Sequence, residues 1–309
     1  MANFVTRCPD VQELLTLAAR AARTEANILI TGESGTGKNL LARLIHDQSA
    51  RSSGPWIEVP CANLPAELLE SDLFGHNKGA FTDAHQDRRG RLEHADGGTL
   101  FLDEVQELVS EVQAKVLRVL DERRFERLGG HETLEIDARI VASTREDPSR
   151  LVADGRLRED LYYRLNVVRL HLPPLRERGS DVALLASYFL DQAIRRHRLG
   201  PKRLAEEALA HLERYPFPGN VRELQHVVES AAILASGEEI GVPELPEELG
   251  VGRAAMLGVA AAEGQSLEQV EQAYIREVLR RTHGNKSAAA RILGIHRKTL
   301  HDKLRSGPS

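Results

Sequence analysis

Cysteine is scarce: only Cys8 and Cys61 occur in 309 residues. That excludes a disulfide framework and suits a reducing cytosol, so a cytoplasmic protein is expected. Both thiols read as buried or incidental. No apolar run is long enough to span a bilayer, and the N-terminus lacks the charged-then-apolar order of a signal peptide. No membrane partner is expected. Positive charge is also short, since 41 Lys and Arg against 46 Asp and Glu leave a net charge of −5. The chain as a whole is therefore no basic nucleic-acid binder, and any DNA contact has to be local. Internal repeats and low-complexity tracts are missing too. What is present is a globular composition, 41% hydrophobic, which can bury a sizeable core. The length fits one large domain with a small one, or two to three domains.

The first chemical landmark is Gly32-Glu33-Ser34-Gly35-Thr36-Gly37-Lys38-Asn39. It follows the apolar run Ile28-Leu29-Ile30, which predicts a buried strand. It precedes Leu40 to Ile45, which has helical apolar spacing. Strand, glycine-rich turn, lysine and helix make the layout of a phosphate-binding loop. Glycines let the backbone wrap closely and aim its N–H groups inward. The helix start adds partial positive charge, and Lys38 can reach the outer phosphates. The alternative is a turn that only reverses the chain; the flanking elements and the lysine favour the phosphate loop. Asn39 departs from the Ser or Thr that the general pattern uses for Mg²⁺.

The second landmark is Gly97-Gly98-Thr99-Leu100-Phe101-Leu102-Asp103-Glu104, an apolar strand ending in two acids. Beside a phosphate loop, Asp103 can hold the Mg²⁺ shell and Glu104 can activate water. Without that loop, a strand with a solvated acidic turn is an equal reading.

In chain order, a helix is expected over Phe4–Arg23, with Pro9-Asp10 as a start. A strand is expected at Trp56–Val59 ended by Pro60, then a helix over Leu64–Phe74. Gly79-Ala80-Phe81-Thr82-Asp83-Ala84 lies in a polar, glycine-punctuated loop with one aromatic. Phe81 either forms a binding tip or folds back onto the core. Helix Val109–Glu122, a hairpin turning at Gly129-Gly130, and strands Arg139–Thr144 and Val167–Leu172 follow. Strands alternating with helices predict an α/β fold with a parallel sheet. Its ligands gather at the carboxyl ends of the strands, where Lys38, Asp103, Glu104 and Thr144 lie. From Asp181 to Ser236 the pattern is wholly helical. Residues 237–265 lose periodicity and read as a linker.

Leu267–Thr282 is amphipathic, and two short helices around Gly294 then give helix-turn-helix spacing. Lys286, Arg291, Arg297, Lys298, Lys303 and Arg305 face only Asp302 in charge, so this corner is locally basic. Double-stranded DNA is the favoured ligand; a small dimerisation knob is the alternative. Lys286, His296, Arg297, Lys298, Thr299 and Lys303 are the candidate contacts. The expected division is an α/β unit at 1–172, a helical lid at 173–236, the linker, and a small all-α domain at 266–309.

Several runs together resemble one family. They are Ile30 through Lys38, Leu69 to His76, Lys78 to Ala84, Asp96 to Glu104, Gln113 to Leu120, Arg158 to Leu165, Leu172 to Arg178 and Pro218 to Leu224. They look like the AAA+ domain of bacterial enhancer-binding proteins, which activate RNA polymerase carrying sigma-54. The C-terminal segment resembles their Fis-type helix-turn-helix.

The resemblance implies an AAA+ P-loop sheet with a helical lid, ATP and Mg²⁺ as cofactors, and a hexameric ring with ATP bound between subunits, of this chain alone or mixed with a paralogue. Arg158 and Arg164 would be arginine fingers reaching a neighbour's nucleotide, and Arg222 the lid arginine sensing the γ-phosphate. Residues 79–84 would touch sigma-54. The ATPase part begins almost at Met1, so the expectation is either a separate regulatory protein or a sequence that is a piece of a longer chain. Asn39, Pro60, Arg145 and Asp83 depart from the family pattern. Pro60 replaces an Asn that bonds the catalytic glutamate, and Arg145 replaces a sensor Asn. The rival reading is a weakly hydrolysing subunit of a mixed ring, or a DNA-binding regulator without sigma-54 activation.

Overall fold

The structure, a computed structural model, describes residues 4–62, 65–81 and 84–246, together with Ile275, Lys286 and Leu300. The chain divides into two compact units, Met1–Leu245 and Pro246–Ser309.

The first unit is built on five parallel strands: β1 (Ile28–Thr31), β2 (Trp56–Pro60), β3 (Thr99–Asp103), β4 (Arg139–Thr144) and β5 (Val168–His171). Their spatial order is β2-β3-β4-β1-β5. The register sets Thr31 opposite Thr144 and His171, and Pro60 opposite Asp103. The chain leaves β1 for the far edge and returns strand by strand, so the loop after β1 opens beside the ends of β3 and β4.

Helices cover both faces, which is why the central strands read as continuous apolar runs. Alternation along each strand sorts the two cores. Leu29, Leu100, Leu102 and Ile140 pack on one side, with α3 (Ala66–Phe74), α4 (Ser110–Glu122) and α5 (Glu159–Leu165). Ile28, Ile30, Phe101 and Val141 pack on the other, with α1 (Pro9–Ala22) and α2 (Lys38–Asp47). Both cysteines are buried, and burial pushes the Cys61 thiol up, out of reach of thiolate chemistry.

The lid consists of α6 (Asp181–His197), α7 (Glu206–Arg214) and α8 (Asn220–Leu234). Pro216-Phe217-Pro218-Gly219 separates the last two, with Phe217 at φ 46° and fully buried against Tyr215. Three expectations change. Residues 4–8 are not helical, and α1 begins at Pro9, whose fixed φ suits a first helical position. The 181–236 region is not wholly helical: Arg203–Leu204 forms a short parallel bridge to Glu239–Ile240. Residues 237–245, read as linker from their lost periodicity, therefore belong to the lid, with Ile240 and Leu245 buried. A two-residue strand carries no period for the sequence to show.

Of the second unit, Ile275, Lys286 and Leu300 are helical; Ile275 and Leu300 are buried and Lys286 is exposed. His296, Arg297, Lys298, Thr299 and Lys303 lie outside the described residues, as do Thr82 and Asp83.

Candidate active site

The loop between β1 and α2 wraps as its glycines require. Gly37 caps α2 at φ 106°, a left-handed position that suits glycine. Gly35 sits at φ 78°, and an added Cβ there would lie 2.2 Å from the Gly219 carbonyl oxygen of the lid. Lys38 is only 4% exposed. Its Nζ donates to the carbonyls of Gly32 at 2.9 Å and Glu33 at 3.1 Å, and stands 3.3 Å from Glu104 Oε1.

The two acids at the end of β3 are held differently. Asp103 Oδ1 accepts from Ser143 Oγ at 2.5 Å and Oδ2 from Asn39 Nδ2 at 3.2 Å. The same Asn39 amide donates to Glu58 Oε1 at 2.7 Å. Glu104 has a left-handed backbone, φ 63°, rare for a residue with a Cβ and a mark of functional sites. Its N–H donates to Ser143 Oγ at 3.0 Å, and its Oε2 accepts from Gln106 Nε2. Arg145 Nε lies 3.9 Å from Glu104 Oε2, while its Nη2 bonds Glu107 at 2.9 Å. Thr144 turns away to Glu146, so Ser143 is the β4 hydroxyl that serves the acids. Ser143, Glu58 and Gln106 were not visible as site residues in the sequence. Ser143 and Glu58 gain meaning only once the strand register is known, and the signal of Gln106 is its place two residues after Glu104.

The lid closes on the phosphate loop through named bonds. Arg176 grips Glu33 with both nitrogens, at 2.7 and 2.9 Å. Those bonds hold the Glu33 carboxyl below its usual range, with burial opposing. Asn220 Nδ2 donates to Glu33 and to the Ser34 carbonyl, Val221 N–H donates to the Gly35 carbonyl at 3.0 Å, and Arg222 Nη1 donates to Ser34 Oγ at 3.2 Å. Buried Arg178 donates to the Thr36 carbonyl at 2.8 Å. A cavity of about 220 Å³ beside Gly32 and Glu33 is lined by Arg145, Arg169 and Arg176.

A cationic loop, paired strand-end acids and a lid arginine match a nucleoside-triphosphatase site in their residue types. The sequence matches the sigma-54 interaction domain over residues 4–171, the AAA+ ATPase lid domain over 176–257, and the bacterial regulatory protein Fis family over 266–306.

The chain belongs to the sigma-54-dependent transcriptional activators.

It is an AAA+ ATPase with a C-terminal Fis-type helix-turn-helix. The regulatory protein AtoC of Escherichia coli K12 is 43% identical over 98% of this chain and 67% of its own length. The transcriptional regulatory protein ZraR of Escherichia coli O157:H7 is 46% identical, covering 98% and 68%. The structure of NtrX from Brucella abortus in complex with ATP superposes with a TM-score of 0.74 at 35% identity, covering 99% of this chain and 69% of that one.

In this sigma-54-dependent activator, Phe81 is 41% exposed and lies edge-on against His76, centroids 4.9 Å apart. His76 in turn meets Ser71 Oγ at 2.8 Å. The loop is cinched by Gly79 N–H to the Ala84 carbonyl at 2.8 Å, with Ala80 beside Gly129 of the neighbouring hairpin. Phe81 is thus both half-seated and partly offered to solvent. Arg158 caps α5 and pairs with Asp160 at 2.8 Å. Arg164 pairs with Asp121 at 2.8 Å. The structure directs neither arginine to the bonds that hold Lys38, Asp103 or Glu104. Among the described residues, no helix is long and apolar enough to cross a membrane.

Proposed function

We propose that this activator hydrolyses ATP at a site built from Gly32 to Asn39, Asp103, Glu104 and Arg222. The observation that carries the reading is Lys38 Nζ and Glu104 Oε1 at 3.3 Å, with Asp103 on the adjoining strand end. Lys38 binds the β- and γ-phosphates, and Glu104 accepts the proton of the attacking water. Asp103 and Glu58 both turn carboxylate oxygens to the Asn39 amide nitrogen, and carboxylate oxygens are the hard donors that fit Mg²⁺. Asp103 would hold the ion with Asn39 beside it; when bound, Mg²⁺ neutralises charge on the phosphates.

In this proposal the chain works in the cytoplasm as a ring, a hexamer of itself or a mixture with a paralogue. Arg158 and Arg164 lie on exposed ground, available to a neighbour's nucleotide. The Gly79–Ala84 loop presses Phe81 and Thr82 on sigma-54 RNA polymerase. The 266–309 domain grips upstream double-stranded DNA through Lys286, His296, Arg297, Lys298, Thr299 and Lys303. The deciding experiment measures ATP turnover and promoter opening by the purified chain. Glu104→Gln should bind ATP without turnover, and Phe81→Ala should keep turnover and lose opening. Undiminished hydrolysis by Glu104→Gln removes Glu104 as the base. Binding without any turnover by the unaltered chain points to the mixed-ring reading.

A further inference from the structure

Three side chains approach the Glu104 carboxylate, and they differ in what else holds them. Lys38 stands on Oε1 but also lies against the Gly32 and Glu33 carbonyls, where a phosphate would draw it. Arg145 is half-exposed and bonds Glu107 more closely than Glu104. Gln106 is 4% exposed, and its Nε2 donates to Glu104 Oε2. Its Oε1 is buried without a hydrogen-bond partner. Turned over, the amide would set its carbonyl against the carboxylate, so only one orientation is attractive. Strand β2 supplies no donor at its end: Pro60 sits opposite Asp103, and proline has no N–H. Gln106 lies on the 3-10 turn Val105–Glu107, directly after the left-handed backbone of Glu104.

A buried carbonyl left unpaired is unfavourable, and an apolar side chain of the same length would avoid it. The amide therefore stands where it does at a cost to packing, and its one bond goes to Glu104. We infer that Gln106 is the positioning residue for Glu104: it fixes Oε2 and leaves Oε1 to take the proton of the attacking water. This rests on the reading of Glu104 as the general base. In the step it serves, water oxygen forms a bond to the γ-phosphorus and passes its proton to Oε1. The bond from phosphorus to the bridging oxygen breaks, and that electron pair stays on ADP. An orienting third group of this kind is a general feature of activated base pairs.

The test is steady-state ATPase kinetics of the full chain carrying Gln106→Met, which keeps the reach and removes the donor. The expected result is a kcat roughly tenfold lower, as the loss of one orienting hydrogen bond of about 1.4 kcal/mol gives. KM should stay unchanged, and the thermal midpoint should hold or rise, since the unpaired carbonyl is removed. Combined with Glu104→Gln, Gln106→Met should cause no further loss, since both remove one unit. Unchanged kcat in Gln106→Met, or losses that multiply in the double variant, overturns the assignment while Glu104→Gln remains inactive. Full activity of Glu104→Gln overturns the general-base reading instead. If Gln106→Met does not fold, Gln106→Ala carries the same comparisons.

Discussion

Lys38 shows how burial and charge combine in one side chain. It is nearly inaccessible, yet its ammonium has three oxygen partners: two backbone carbonyls and Glu104. Lys38→Ala should abolish ATP binding by removing the cation that faces the outer phosphates. Fluorescent nucleotide titration measures this, and wild-type affinity in the variant would remove Lys38 from the site. Arg139 is a structural counterpart. It is 1% exposed and donates to the carbonyls of Ala21, Ala22 and Ala26, closing the end of α1. Burial pulls its pKa down from the ordinary arginine value. Arg139→Met should leave those carbonyls unpaired and cost about 3 kcal/mol. Urea unfolding reads that loss, and a change below about 0.5 kcal/mol would place Arg139 with ordinary surface residues.

Between elements, the phosphate loop and the lid share one set of hydrogen bonds. The 173–180 connection passes Arg176 to Glu33 and Arg178 to Thr36, and α8 begins at Asn220 on Ser34. Asp181, fully buried at the start of α6, accepts from Thr6 Oγ1, Arg7 N–H and Cys8 N–H. A lid movement must therefore strain the loop that holds phosphate. The Glu33–Arg176 pair also carries a pH signature. Its folded pKa is lowered, so its stabilising contribution is present above the unfolded glutamate value, about 4.3, and is lost as pH falls through the lower folded value. Both side chains are about two-fifths exposed, so solvent and salt keep the effect modest. Arg176→Ala should lower the thermal midpoint at pH 7, and the gap to wild type should narrow as pH falls below the unfolded glutamate value of about 4.3. A gap that does not narrow as the solution is acidified would mean the contact is not ionic.

At the scale of the whole molecule, the proposed ring requires partner subunits. Arg158 and Arg164 pair with Asp160 and Asp121, away from the bonds of their own chain's phosphate loop. Arg158→Ala should bind ATP normally and hydrolyse it some orders of magnitude more slowly, as fingers supplied in trans do. Mixing it with Lys38→Ala should restore part of the activity. If no mixture complements, the shared-site ring fails. The acidic chain also needs its local basic corner for DNA. Arg297→Ala should weaken specific binding by roughly 1–3 kcal/mol if it reads a guanine, or reduce the salt dependence if it meets phosphate. Electrophoretic mobility shifts at several salt concentrations separate the two, and unaltered DNA affinity after deletion of 266–309 would move recognition elsewhere.

The sequence by itself determined the elements that carry strong periodicity or obligatory chemistry. The β1 loop needed its glycines and lysine, the β3 acids followed a fully apolar strand, and α4, α6 and α8 showed helical spacing over many turns. Family membership was legible in the same runs. Short pairings escaped, because Arg203–Leu204 and Glu239–Ile240 are too brief to leave a period. So did Ser143, Glu58 and Arg176. Each is a common polar residue in its local sequence, and only the parallel register and the return of the lid bring it to Asp103, Asn39 or Glu33. Periodicity is a property of neighbours along the chain. The convergence of donors on one carboxylate is a property of strands far apart in sequence, which tertiary packing alone sets.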